Sequence, residues 1–145
     1  MPDDARLPTT NRVPAEPGKP VADPAVWTGD EMTTRDDWIY ALGKSDISAL
    51  ADITKQVRAV IGDDANELLG LDADTLDLGA FAPPMAEMFH QIKDGRGFQL
   101  IRGMPVADWD RLDLAIAYWV LGLQIGTPLS NNPEGDMIGH VTDMG

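Results

Sequence analysis

Ile47, Leu50, Thr54, Val57 and Ile61 recur at spacings of three and four residues. No other pattern constrains the chain so strongly. On a helix of about 3.6 residues per turn the repeat draws one continuous stripe, and such a stripe has to be buried. Ser45 stands where an N-cap is wanted, and Gly62 where a left-handed residue closes the last turn. The spacing therefore predicts a helix over 45–61 and a core beneath it. At 145 residues, with 43% of them hydrophobic and 4 Trp, the chain is long enough for one modest domain and too apolar to be wholly disordered.

The flanking segments differ in kind. Residues 1–25 hold six of the 11 prolines (Pro2, Pro8, Pro14, Pro17, Pro20 and Pro24). Each fixes φ and removes a backbone donor, so this is an extended, proline-rich arm, either a loose leader or a strap draped over the surface. Residues 26–145 form the domain. Thr33 or Thr34 is expected to cap a short helix through Trp38, Ile39 and Leu42, with Asp36 and Asp37 in its first turn and Gly43 at its end. Loops or short turns are expected between Asp63 and Ala82. Pro83-Pro84 then opens a third helix with Met85, Met88, Phe89 and Ile92 on one face, stopped by Asp94-Gly95. The segment Gly97 to Gly103 reads as a strand bracketed by glycines. Asp108 is the expected N-cap of a fourth helix that packs through Leu112, Ala115, Ile116, Trp119, Val120 and Leu123 and ends at Gly126-Thr127-Pro128. A turn at 131–135 and a strand from Met137 to Val141 complete an α+β order.

Charge narrows the partners. With 11 Lys+Arg against 24 Asp+Glu the net charge is −13, which opposes a phosphate backbone and an anionic membrane surface. The most apolar run, Leu114 to Ile125, is interrupted by Tyr118, Gly122 and Gln124 and falls short of the roughly 20 residues a bilayer span needs. The first ten residues, MPDDARLPTT, contain no apolar core for a signal peptide, so a cytoplasmic location is expected. The absence of cysteine excludes disulfides, thiolate metal sites and a Cys nucleophile.

Motifs for catalysis are sparse. Gly95-Arg96-Gly97 follows a helix and precedes a strand, the reverse of a dinucleotide-binding order. Gly43-Lys44-Ser45 lacks the glycine five positions earlier that a phosphate loop requires, because Trp38 stands there. Asp72-Ala73-Asp74 has no distal Glu for a calcium loop and reads as acidic surface. His90 lies at the edge of its helix stripe, where a surface imidazole is expected. His140 and Asp143 are three apart, so on a strand they point to opposite faces. A metal site built from His90, His140 and Asp143 is disfavoured, and none is assigned.

The order of segments carries more information than any one motif. Gly-Arg-Gly-Phe-Gln-Leu-Ile-Arg-Gly-Met-Pro (Gly95 to Pro105) is followed by a helix reaching Leu121-Gly122-Leu123-Gln124-Ile125-Gly126-Thr127-Pro128. Then come Ser130-Asn131-Asn132-Pro133-Glu134-Gly135 and Ile138 to Gly145, with Val141 and Asp143-Met144-Gly145. This series, over residues 80–145, resembles the taurine dioxygenase-like (TauD/TfdA) family. The resemblance implies a non-haem Fe(II), 2-oxoglutarate-dependent dioxygenase acting on a small organic, acidic substrate. It also implies the N-terminal helices and first strands of a double-stranded β-helix, or jelly roll. In that family the His-x-Asp/Glu pair, the distal His and the 2-oxoglutarate-binding Arg come later in sequence, so no metal or catalytic residue transfers to this chain. Asn131 and Asn132 correspond to a region bordering the family's pocket and are the substrate-binding candidates; an Asn-Pro turn is the competing role. The chain is accordingly expected to be an incomplete jelly roll, inactive and without bound Fe(II) or 2-oxoglutarate by itself, and completed by a C-terminal half. The alternative is a non-catalytic α+β interaction module completed by a partner or by a second copy as a homo-oligomer.

Overall fold

The structure is a computed structural model describing residues 12–130, 132–133 and 135–139. It divides into two compact units, Met1–Leu50 with Leu78–Pro105 and Ala51–Asp77 with Val106–Gly145. Among the described residues the elements are four helices, three short 3-10 turns and a sheet of two strands.

The first unit opens with the one-turn helix α1 (Gly29–Thr33). Thr28 caps it: its hydroxyl accepts from the Glu31 N–H at 3.3 Å, and the Glu31 carboxylate accepts from the Thr28 N–H at 2.7 Å. The helix expected from Thr33 or Thr34 through Leu42 is not formed. The chain instead leaves α1 at Thr34 and becomes strand β1 (Ile39–Ala41). The Trp38 indole N–H is held by the carbonyls of Arg35 (2.9 Å) and Met32 (3.2 Å). β1 pairs in parallel with β2 (Leu100–Arg102), Tyr40 opposite Ile101. Trp, Ile and Tyr suit a pleated surface better than a helix. A ladder to so distant a part of the chain is invisible to local periodicity.

The expected strand around 97–103 is present over three residues, Leu100–Arg102. Gly97 and Gly103, both at φ +89°, flank it in a conformation that an L side chain resists. Helix α3 (Ala82–Lys93) has prolines in its first turn, buries Met85 and Met88, and ends at Asp94, as its pattern predicts. Its last carbonyls are capped from the arm. The Arg12 guanidinium donates to the carbonyls of Lys93 (3.0 Å) and Ile92 (3.2 Å) and pairs with Asp23 at 2.6 Å. A cation there complements the negative end of the helix. The backbone N–H of Ala25, and next the Arg12 guanidinium, hold the Asp23 carboxyl below its ordinary range. Arg12 and Asp23 thus tie the described part of the arm to the end of α3, while residues 13–22 between them are exposed.

Helix α2 (Lys44–Ile61) matches its expected span, and Gly62 at φ +64° closes it. Its start differs in detail. The Ile47 N–H donates to the Gly43 carbonyl, and the Asp46 carboxylate accepts from the Gly43 N–H at 2.8 Å, so Gly43 is the cap and Ser45 lies inside the first turn. The buried stripe runs through Leu50, Ile53, Thr54, Val57 and Ile61.

In the second unit the acidic stretch after α2 folds into 3-10 turns at Ala65–Gly70 and Ala73–Thr75. Asp64 and Asp72 cap them, accepting from the Asn66 and Asp74 N–H groups at 2.9 and 3.0 Å. A third such turn, Gly79–Phe81, belongs to the first unit and leads into α3. Helix α4 (Arg111–Ile125) is capped by Asp110, not Asp108, because only Asp110 reaches the Asp113 N–H, at 2.8 Å. Ile116, Ala117, Trp119, Val120 and Leu121 are buried, a wider arc than a single stripe. Residues 137–138 form a bend and 139 has no regular structure, so the first half of the expected strand is not formed; 140–141 lie outside the described residues. No described helix is long and apolar enough to cross a membrane.

Candidate functional site

The region singled out by sequence is the loop that leaves α4. Gly126 caps the helix, donating to the Gly122 carbonyl, and Pro128 cannot extend it. Asn132 then organises a turn. Its carbonyl accepts from the Ser130 hydroxyl (3.1 Å) and the Gly135 N–H (3.2 Å). Its side-chain oxygen accepts from the Asp136 N–H at 2.8 Å, while its amide nitrogen donates to the Asp136 carboxylate at 2.9 Å. One amide N–H and one lone pair of the amide oxygen are thereby committed to Asp136, which fixes the orientation of the amide. Asn131 lies outside the described residues.

Beside this loop the second unit carries a cleft of about 570 Å³, within the ordinary range for a small-molecule site. Trp119, Leu123 and Gln124 of α4 line it together with Leu69, Leu71 and Asp72, and Pro128 and Met137 border it. A neighbouring cleft of about 440 Å³ shares Trp119 and Met137 and adds Asp136. The Trp119 indole N–H and the Gln124 amide nitrogen are buried without a hydrogen-bond partner in the described structure. Among the described residues neither cleft is lined by Lys, Arg or His. A dianionic oxo-acid finds no counter-charge there.

Arg58 forms the largest ionic cluster among the described residues. It donates to Asp110 (2.6 Å), Asp113 (2.7 Å) and Asp63 (3.1 Å), joining the end of α2 to the start of α4 within the second unit. These carboxylates push the guanidinium pKa further up. The Asp113 backbone N–H, and after it Arg58, hold the Asp110 carboxyl below its ordinary value. With its guanidinium committed to three carboxylates, Arg58 acts as a clamp rather than a reactive group. Arg58→Met should lower the urea midpoint modestly, and more at low salt than at high salt, because screening weakens partly exposed pairs. Since the folded Asp110 pKa is depressed, its contribution is present above the unfolded carboxylate pKa and is lost as pH falls through the folded one. Midpoints of the two proteins should converge in acid; a constant gap across pH would contradict the clamp.

No group of three or more His, Cys, Asp or Glu is placed to share a metal ion among the described residues. His90 is exposed, as its place on the stripe edge implies, with Nδ1 3.7 Å from the Asp94 carboxylate. His140 and Asp143 lie outside the described residues. The side chains that are placed do not fit an iron facial triad, and no chemical step is derived through one.

The comparisons with known proteins add a direction. No family model matches the chain. It is similar to the FR-33289 synthase of Streptomyces rubellomurinus, with 23% identity over 127 residues, covering 88% of this chain and 36% of that protein. The chain thus spans little more than a third of the curated relative it matches. The similarity is a loose relationship to an enzyme and reaches well beyond the ordered series after Gly95.

Proposed function

We propose that this chain is the N-terminal scaffold of a non-haem Fe(II), 2-oxoglutarate-dependent oxygenase of the jelly-roll type that hydroxylates a small organic acid. The similarity to the synthase carries the reading, because it extends over 88% of this chain yet only 36% of that protein. The series from Gly95 to the Asn-Pro turn supports it through its resemblance to the taurine dioxygenase-like family. The iron ligands and the oxo-acid's counter-charge then come from sequence outside the described residues. The scaffold supplies the apolar helix α4 and the Asn132 turn. In this reading Asn131 and Asn132 border the substrate pocket, Asn132 offering the second N–H of its Asp136-bound amide to a substrate oxygen.

The test begins by translating the gene in all three frames past codon 145. A downstream His-x-Asp, with 2-oxoglutarate turnover in the longer product and none in 1–145, is the expected result. No such motif, together with a folded monodisperse dimer of 1–145, would replace this reading with a non-catalytic interaction module. Turnover by 1–145 itself, lost in His140→Ala, would contradict it from the other side.

A further inference from the structure

Two donors of α4 have nothing to bond. The Trp119 indole N–H and the Gln124 amide nitrogen lie away from water and without a hydrogen-bond partner, and Trp119 is only 5% exposed. A buried donor left unpaired costs more than the bond it could make would contribute, so native chains carry few, and this helix carries two within two turns. Both side chains line the same cleft of about 570 Å³, which lies wholly within the second unit. The rest of its wall is mostly apolar, with Leu69, Leu71 and Leu123, and its single charged residue among those described is Asp72. Gln124 is half-buried and stands on three rotatable bonds, so its amide can turn toward a group that enters.

We propose that this cleft holds the uncharged, carbonyl-bearing end of the substrate: an amide, ketone or ester oxygen on an apolar body. The inference rests on the function proposed above and deepens it, since the acid group of the same substrate is then held by sequence outside the described residues. A carbonyl oxygen has two lone pairs and no hydrogen to donate, so it can serve either orphaned N–H or both. A carboxylate accepts as well, but the cleft offers it no Lys, Arg or His, and Asp72 repels it. A hydrocarbon offers no acceptor and leaves both donors unpaired. Donors without counter-charge in an apolar wall therefore select a neutral acceptor.

The test follows the indole N–H signals of isotope-labelled 1–145 by NMR, with acetanilide as the neutral probe and phenylacetate as its anionic counterpart. The Trp119 signal, one of four, is identified by its loss in Trp119→Phe. Acetanilide should move that signal downfield and saturate; phenylacetate at the same concentration should not. Gln124→Leu should weaken acetanilide binding about fivefold, the loss of one hydrogen bond. It should also leave the urea midpoint of the free chain unchanged or higher, because it removes an unpaired buried amide. Equal binding of the two probes, or binding of neither, would overturn the proposal. So would a long-lived water contact to the indole N–H in the free chain, which assigns the donor to a buried water. A midpoint that Gln124→Leu lowers as for a core residue would overturn it too, by showing the amide already partnered. None of these outcomes touches the downstream His-x-Asp on which the proposed function depends. Conversely, saturable acetanilide binding where the gene lacks that motif would keep the site and remove its role in holding the substrate of an oxygenase.

Discussion

Phe81→Ala should lower the unfolding free energy by about 3–5 kcal/mol, the range for truncating a large buried aromatic. Phe81 is fully buried and among the largest side chains that are, and its ring centroid lies 6.1 Å from that of Tyr40. It is the last residue of the Gly79–Phe81 turn and stands directly before α3, so the cavity opens where the first unit changes direction. Against a typical total of about 5–15 kcal/mol, the loss is a large share of what holds that unit folded. Urea denaturation should place Phe81→Ala well below Phe89→Ala, because Phe89 is only half-buried. Equal midpoints would contradict the placement of Phe81.

Asp46→Ala should cost about 2–4 kcal/mol, since it strands two donors and removes a helix cap together. The Asp46 side chain is buried; one of its oxygens accepts from the Tyr40 hydroxyl at 3.0 Å and from the Gly43 N–H at 2.8 Å. Asp46→Asn keeps an acceptor and should cost markedly less. Burial, and after it the bond to Asp46, raises the Tyr40 pKa. A raised folded pKa means that the contribution is complete below the unfolded tyrosine value, about 10, and is lost as pH rises through the folded one. Tyrosinate absorbance, followed in a Tyr118→Phe background to isolate Tyr40, should show a high titration that moves down in Asp46→Ala. A titration unmoved by the substitution would show that the hydroxyl does not use Asp46.

Helices with strong periodicity are legible in the residues alone: α2 within two residues at its cap, α3 with its prolines and its Asp94 end, and the body of α4. The departures are positional. Asp108 and Asp110 are equally good caps by residue type, and only the reach of Asp110 to the Asp113 N–H separates them. Trp38, Ile39 and Leu42 also fit a helix by spacing; the ladder to β2 makes the segment around them a strand. The Asn132 turn is one of the two roles its residue types allow. Arg58, by contrast, has no local signature, because two of its three acid partners lie more than 50 residues away.

Sequence by itself determined roughly where α2, α3 and α4 start and stop and which sides of α2 and α3 shun water, because caps, glycines and apolar repeats act over a few residues. Tertiary structure alone decided that β1 is a strand, that Arg12 ties the arm to the end of α3, that Asp46 serves Tyr40, and which side of α4 stays open. Each of these depends on groups separated along the chain meeting at hydrogen-bond or van der Waals distance, and a one-dimensional pattern carries no record of that distance.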